Sequence, residues 1–148
     1  MLNKDKIVED LKQAMLSRDE LKTSVLRMLK AEIMKVETDG SGREINEALI
    51  VELAMRLVKQ RKDSAEQFRN GARPELAEKE EAEIKILETY MPAQMNEEEV
   101  RKVVKETMAE MGVSDKSGMG KIMGSLMGKL KGKADGTLVK QVLESELK

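Results

Sequence analysis

The chain has no cysteine, no histidine and no tryptophan, and it holds one tyrosine, one phenylalanine and two prolines in 148 residues. Without cysteine there is no disulfide framework and no thiol chemistry. Without histidine as well, most zinc sites, Cys–His and Ser–His nucleophiles and imidazole acid–base catalysis are excluded. With so few aromatic rings the core must be aliphatic and methionine-rich, and the 12 methionines supply adaptable packing. Stacking platforms for unpaired nucleic-acid bases are missing too, so any nucleic-acid partner would be held by its backbone and shape. No apolar run approaches the ~20 residues of a membrane-spanning helix, and no membrane partner is expected. The first ten residues, MLNKDKIVED, lack the apolar stretch of a secretory signal. That pattern sets a cytoplasmic expectation. No cofactor or metal site is expected.

What is present is charge and helical periodicity. Charged residues make up 37 % of the chain, at a net charge of −1. The balance is uneven. Residues 1–92 carry 17 basic and 19 acidic side chains, whereas residues 112–140 carry six lysines against Asp115 and Asp135. A local positive patch on a near-neutral chain is a candidate polyanion footprint; a chance cluster on a solvated helix is the alternative.

Apolar residues recur at three- and four-residue steps throughout, and no strand pattern competes. Ile7, Leu11 and Met15 predict a first helix over 3–16. Ser17 and Glu20 fit a capping box opening a second helix to about Thr38, with Leu21, Val25, Met28, Leu29, Ile33 and Val36 on its inner face. Asp39-Gly40-Ser41-Gly42 reads as a turn. Asn46 caps a third helix with Leu49, Ile50, Leu53, Leu57 and Val58 inward, ended by Gly71 as a C-terminal glycine. Pro74 opens a fourth that continues to Tyr90. Pro92 is the predicted boundary, because it cannot continue a helix and moves Met91 out of helical space. Beyond it, Asn96 opens a helix closed by Gly112, Ser114 is expected to cap a second that ends at Gly132, and Asp135 caps the last. The expectation is an all-α chain: about four helices in 1–92 and a three-helix tail in 93–148.

The stretch from Met119 to Gly136 is unlike the rest. Glycine recurs at 120, 124, 128, 132 and 136, methionine at 119, 123 and 127, and lysine between them. On a helical wheel the methionines, Ile122, Leu126 and Leu130 form the apolar stripe, with Gly120, Gly124 and Gly128 on its shoulder. Three interior glycines cost about 2–3 kcal/mol relative to alanine. A neighbouring helix packed unusually close is the expectation for Gly120 and Gly124; an external backbone approaching a smooth lysine-flanked surface is the other explanation. Familiar glycine motifs do not fit. Gly118-Met119-Gly120 lacks the third glycine of a dinucleotide fingerprint, and Gly124 to Lys129 is one residue short of a phosphate-binding loop. The acidic runs around Glu80 and Glu98 read as solvated faces, and Ser114, Lys116 and Ser117 have no oxyanion hole beside them. A second basic group comprises Arg56, Lys59, Arg61 and Lys62, with Arg27 and Lys30 on the preceding helix.

Several segments together resemble the GatB/YqeY family over essentially the whole chain. They are Val25-Leu26-Arg27-Met28-Leu29-Lys30-Ala31, Lys59-Gln60-Arg61-Lys62-Asp63-Ser64 and Leu87-Glu88-Thr89-Tyr90-Met91-Pro92. Met119-Gly120-Lys121-Ile122-Met123-Gly124, followed by Gly132-Lys133-Ala134-Asp135-Gly136, completes the set. The C-terminal part is similar to the tail domain of the B subunit of the tRNA-dependent amidotransferase, which converts Glu-tRNA(Gln) or Asp-tRNA(Asn) to the amide. The resemblance implies an all-α fold, a tail that helps hold tRNA, and, through the family, carbon–nitrogen ligase activity with glutamine as nitrogen donor. This chain lacks the parent enzyme's catalytic cradle, so the expected role is a tRNA-binding or amidotransferase-accessory module without catalysis of its own. A helical protein-interaction adaptor is the alternative. The expected partners are tRNA and a protein of tRNA aminoacylation or amidation, with no DNA. The candidate RNA-binding residues are Lys121, Lys129, Lys131 and Lys133 for phosphates and Gly120, Gly124 and Gly132 for close approach. Arg27, Lys30, Arg61 and Lys62 form a second, weaker set.

Overall fold

The computed structural model describes residues 2–148, which form seven α-helices and one 3₁₀ turn with no strand among the described residues. The all-α expectation is met. The helices gather into two compact units that part between Pro92 and Ala93.

In the first unit, α1 (Lys4–Leu16) starts at Asn3, whose side chain accepts from the Lys6 amide. It ends where Ser17 returns its hydroxyl to the Ala14 carbonyl and Arg18 takes a left-handed φ of +59°. That reversal makes Asp19, not Ser17, the N-cap of α2 (Glu20–Glu37), with its carboxylate accepting from the Lys22 amide. A carboxylate at this position also complements the positive end of the helix dipole, which a serine cannot do. The Asp39–Gly42 turn has positive φ at Gly40 and Gly42, and Asn46 caps α3 (Glu47–Asn70) as expected. At the end of α3 the left-handed residue is Ala72 at φ +59°, while Gly71 stays at −87°. The chain then enters α4 (Pro74–Glu88) through Pro74 in its first turn.

The core of this unit joins Ile7 and Leu11 to Val25, Leu26, Leu29 and Ile33, then to the α3 stripe, Leu87 and Tyr90. Leu26 is buried although the four-residue stripe omitted it, and Met28, placed inward by that stripe, is 43 % exposed. The inner face of α2 is turned by the need to meet α1, α3 and α4 at once. Two polar contacts tie distant parts of the unit. Tyr90 donates its hydroxyl to Asp10 at 2.7 Å, and Arg61 Nε donates to Glu83 at 2.9 Å between α3 and α4.

The second unit holds α5 (Glu97–Met111), α6 (Met119–Leu130) and α7 (Gly136–Glu146). Asn96 caps α5 and Gly112 ends it in left-handed conformation. Asp135 caps α7, accepting from the Thr137 amide. The core is Val100 and Val104 of α5, Ile122, Leu126 and Leu130 of α6, and Val139, Val142 and Leu143 of α7. On its rim, Arg101 of α5 donates to Ser145 at 2.9 Å and pairs with Glu146, fastening α5 to α7.

Candidate functional site

The entry to α6 is built from the preceding loop. Asp115, not Ser114, caps the 3₁₀ turn Lys116–Gly118, accepting from the Ser117 amide at 3.0 Å. The bonds from the Ser117 hydroxyl and amide hold the Asp115 carboxyl below its usual range. Gly118 sits against Val113: a Cβ there would lie 2.6 Å from a Val113 methyl. Close packing demands this glycine, which lies just before the stretch.

The three glycines within α6 behave differently. A Cβ added at Gly120, Gly124 or Gly128 would meet nothing within 4 Å. The expectation that a neighbouring helix packs closely on Gly120 and Gly124 is therefore overturned. The physical reason is angular. At 100° per residue, the glycine row points about 160° away from the buried row Ile122, Leu126 and Leu130. The glycines are the outermost strip of the helix rather than a shoulder of its core. Lys121 is exposed on one flank of that strip, and Met123 and Met127 lie on the other, Met127 exposed.

The four candidate lysines of the tail divide into two sets. Lys129 Nζ donates to Glu110 at 2.8 Å and to the Thr107 hydroxyl at 3.0 Å, so its charge is committed to joining α6 to α5. Thr107 is itself fully buried and bonds back to the Val103 carbonyl. Lys121, Lys131 and Lys133 are exposed and make no ion pair among the described residues. Lys131 and Lys133 sit on a loop that is fixed at the backbone. Gly132 is buried at φ +79°, a conformation that favours glycine. Its carbonyl accepts from the Gln94 side-chain amide at 2.9 Å, and the Lys133 carbonyl accepts from the Met95 amide at 2.8 Å. Gly132 therefore acts as a helix stop and a loop anchor, and it is not open for contact as Gly120 and Gly124 are. The sequence carried no signal for the Gln94 and Met95 clamp, since it joins residues nearly 40 positions apart through one side chain and one amide.

The second basic set does not form one surface. Arg61 is 5 % exposed and fully engaged: Nε to Glu83 at 2.9 Å, Nη1 to the Leu57 carbonyl at 3.2 Å and Nη2 to Met28 Sδ at 2.9 Å. It cannot reach a nucleic acid. Its periodic neighbour Leu57 shows why: position 61 continues the inward stripe of α3, and Glu83 on α4 makes burial of the charge tolerable. Arg27 and Lys62 are exposed, and Lys30 is half-buried. Among the described residues no group of three or more acidic side chains is placed to hold a metal, and no helix is long and apolar enough to cross a membrane.

Comparison with known proteins gives the family and one correction. The proteins named "Altered inheritance of mitochondria protein 41, mitochondrial" are similar over part of the chain. The Lachancea thermotolerans protein is 39 % identical over 83 residues, which is 56 % of this chain and 44 % of that protein. The Kluyveromyces lactis protein is 39 % identical over 85 residues, 57 % of this chain and 46 % of that protein. The match thus spans less than half the length of these curated relatives. Their names place them in mitochondria, which overturns the cytoplasmic expectation. The missing apolar stretch in residues 1–10 bears only on secretory signals, and mitochondrial targeting rests on a different, amphipathic and arginine-rich pattern. The family described as Yqey-like protein matches residues 4–147, nearly the whole of both helical units, and the chain belongs to that family.

Proposed function

We propose that this protein is an RNA-binding accessory module, with tRNA as its RNA, that works without catalysis of its own. The observation that carries the reading is the bare strip Gly120, Gly124 and Gly128. Each glycine weakens the helix by about 1 kcal/mol relative to alanine, and nothing inside the fold fills the space that a side chain would occupy. A partner that lies against the helix backbone from outside gives those positions a use. Lys121 at the start of α6 and Lys131 and Lys133 after its end bracket the strip over about 15 Å of helix. They offer point charges to successive phosphates, and the clamped loop keeps two of them from being ordered anew on binding. The absence of tryptophan and the scarcity of other aromatics favour contact through backbone and shape over base stacking. The choice of tRNA as that RNA rests on the resemblance read in the sequence motifs of the tail to the amidotransferase B subunit, not on the comparisons.

A filter-binding titration with total tRNA across salt concentrations tests this. Each neutralised phosphate contributes a slope of roughly 0.7–0.9 in the log–log plot. A Lys121/Lys131/Lys133→Ala variant is expected to lose about two to three units of slope. Binding that ignores salt, or a variant that binds like the parent, would sink the proposal. Glutamine-dependent amidation of misacylated tRNA by the isolated chain would overturn the non-catalytic part of it.

A further inference from the structure

The α1–α2 hairpin carries a feature that the RNA reading does not use. Met15 is 50 % exposed, Leu16 is 69 % and Met28 is 43 %. Met15 and Met28 share a groove of about 580 Å³ with Arg18, Glu20 and Arg27. The groove is open and lined by two half-exposed methionines, whereas a small-molecule site encloses most of its ligand. Met28 is also held in place: its Sδ accepts from the buried Arg61 guanidinium at 2.9 Å.

Charge and length define what fits. Arg18 and Arg27 make no ion pair among the described residues, and Glu20 is the single acid on the lining. The left-handed backbone at Arg18 sets that residue at the turn between α1 and α2, where it joins the lining of the groove. Along α2 the lining runs from Glu20 to Met28, about 12 Å or a little over two turns. Guanidinium forks match carboxylates in two-pronged geometry, and methionine floors adapt to varied aliphatic side chains. A nucleic acid would answer the two arginines but gain nothing from covering the thioethers.

We propose that this groove docks an acidic amphipathic helix of a partner protein. The aliphatic side of that helix lies on Met15 and Met28, and its carboxylates pair with Arg18 and Arg27. This surface lies wholly on the first unit and stands or falls independently of the tail lysines.

The probe is a constrained synthetic helix of about three turns with leucine at i, i+4 and i+7 and glutamate on the flanks. It is titrated into the full chain labelled at its methionine methyls and followed by NMR. The Met15 and Met28 methyls are expected to shift, and Arg27→Glu, on an exposed helix position, to weaken binding about ten-fold or more. A matched peptide with lysine for glutamate is expected not to bind. Unmoved Met15 and Met28 methyls, equal binding of the lysine peptide, or an unaffected Arg27→Glu variant would each refute the proposal. So would tRNA that shifts the same two methyls and displaces the peptide, since the groove would then belong to RNA.

Discussion

Replacing Gly120, Gly124 and Gly128 together with alanine should make the protein more stable. Each site is helical, none has positive φ, and an added Cβ would touch nothing within 4 Å. The change therefore brings only the helix-propensity gain, about 0.8–1 kcal/mol per residue and 2–3 kcal/mol for the three. For a unit this small, a gain of that size raises the midpoint of thermal unfolding by roughly 10 °C or more. The two units need not unfold together, so one transition cannot be assumed to report on both. The lone tyrosine is Tyr90, in the first unit, so its emission is silent to the tail. Far-UV circular dichroism, with amide exchange across α6, is the assay. Two single substitutions supply the opposite sign. Gly118→Ala drives a Cβ to 2.6 Å from Val113, and Gly132→Ala forces a side chain onto φ +79°, so both should destabilise. A triple variant that melts at or below the parent temperature would refute the open-face description. A triple variant that is more stable and binds tRNA as well as the parent would leave the fold intact and remove the use assigned to the strip.

Other outcomes follow from the polar ties of the first unit. Glu83→Ala strands the buried Arg61 guanidinium and should cost about 3–5 kcal/mol in urea unfolding followed by Tyr90 emission, whereas Arg61→Met with Glu83→Leu should cost far less. Tyr90→Phe removes the bond to Asp10 and should cost about 1.5–3 kcal/mol near neutrality, by the same assay read with circular dichroism. The pH dependence has two edges. Burial alone would raise the Asp10 carboxyl, but the Tyr90 and Lys6 bonds with the Lys6 and Lys22 charges outweigh it and lower it. Its contribution is therefore complete above the ordinary carboxylate value of about 3.9 and is lost as pH falls through the lower folded value. Burial, then the bond to Asp10, raises the Tyr90 hydroxyl far above its usual value. Its stabilisation is full below about pH 10 and declines as pH rises from there towards the folded value, a decline that Tyr90→Phe should abolish. Finally, Lys129→Ala should lower tail stability by about 0.2–1 kcal/mol through loss of the half-exposed Glu110 pair, with a smaller effect on the salt slope of RNA binding than Lys131→Ala.

Helices were legible because their signals are local. Asn46, Pro74, Asn96 and Asp135 each act within a few residues, and the apolar steps of α3 pointed to residues that are buried. The failures share one cause, which is competition decided at longer range. Ser17 and Asp19 both could cap α2, and the left-handed turn at Arg18 chose Asp19. Arg61 looked like one member of a basic run until Glu83, on another helix, gave it a reason to be buried. Lys129 looked equivalent to Lys121 until Glu110 and Thr107 claimed it. The wheel of α6 was readable, but treating all six apolar residues as buried pulled the core direction toward the glycines; with Met127 outside, the strip moves to the far face.

The clamp of Gln94 and Met95 onto Gly132 and Lys133 has a mechanical side. These two residues are among the first after the boundary at Pro92, so the start of the second unit is pinned to the loop that presents Lys131 and Lys133. If the proposed RNA is held by those lysines, reciprocity requires that loosening the clamp, as in Gln94→Ala, weaken the grip by the same factor by which the bound RNA tightens the clamp. One side-chain bond and one main-chain bond thus fix, within the second unit, the backbone on which Lys131 and Lys133 stand.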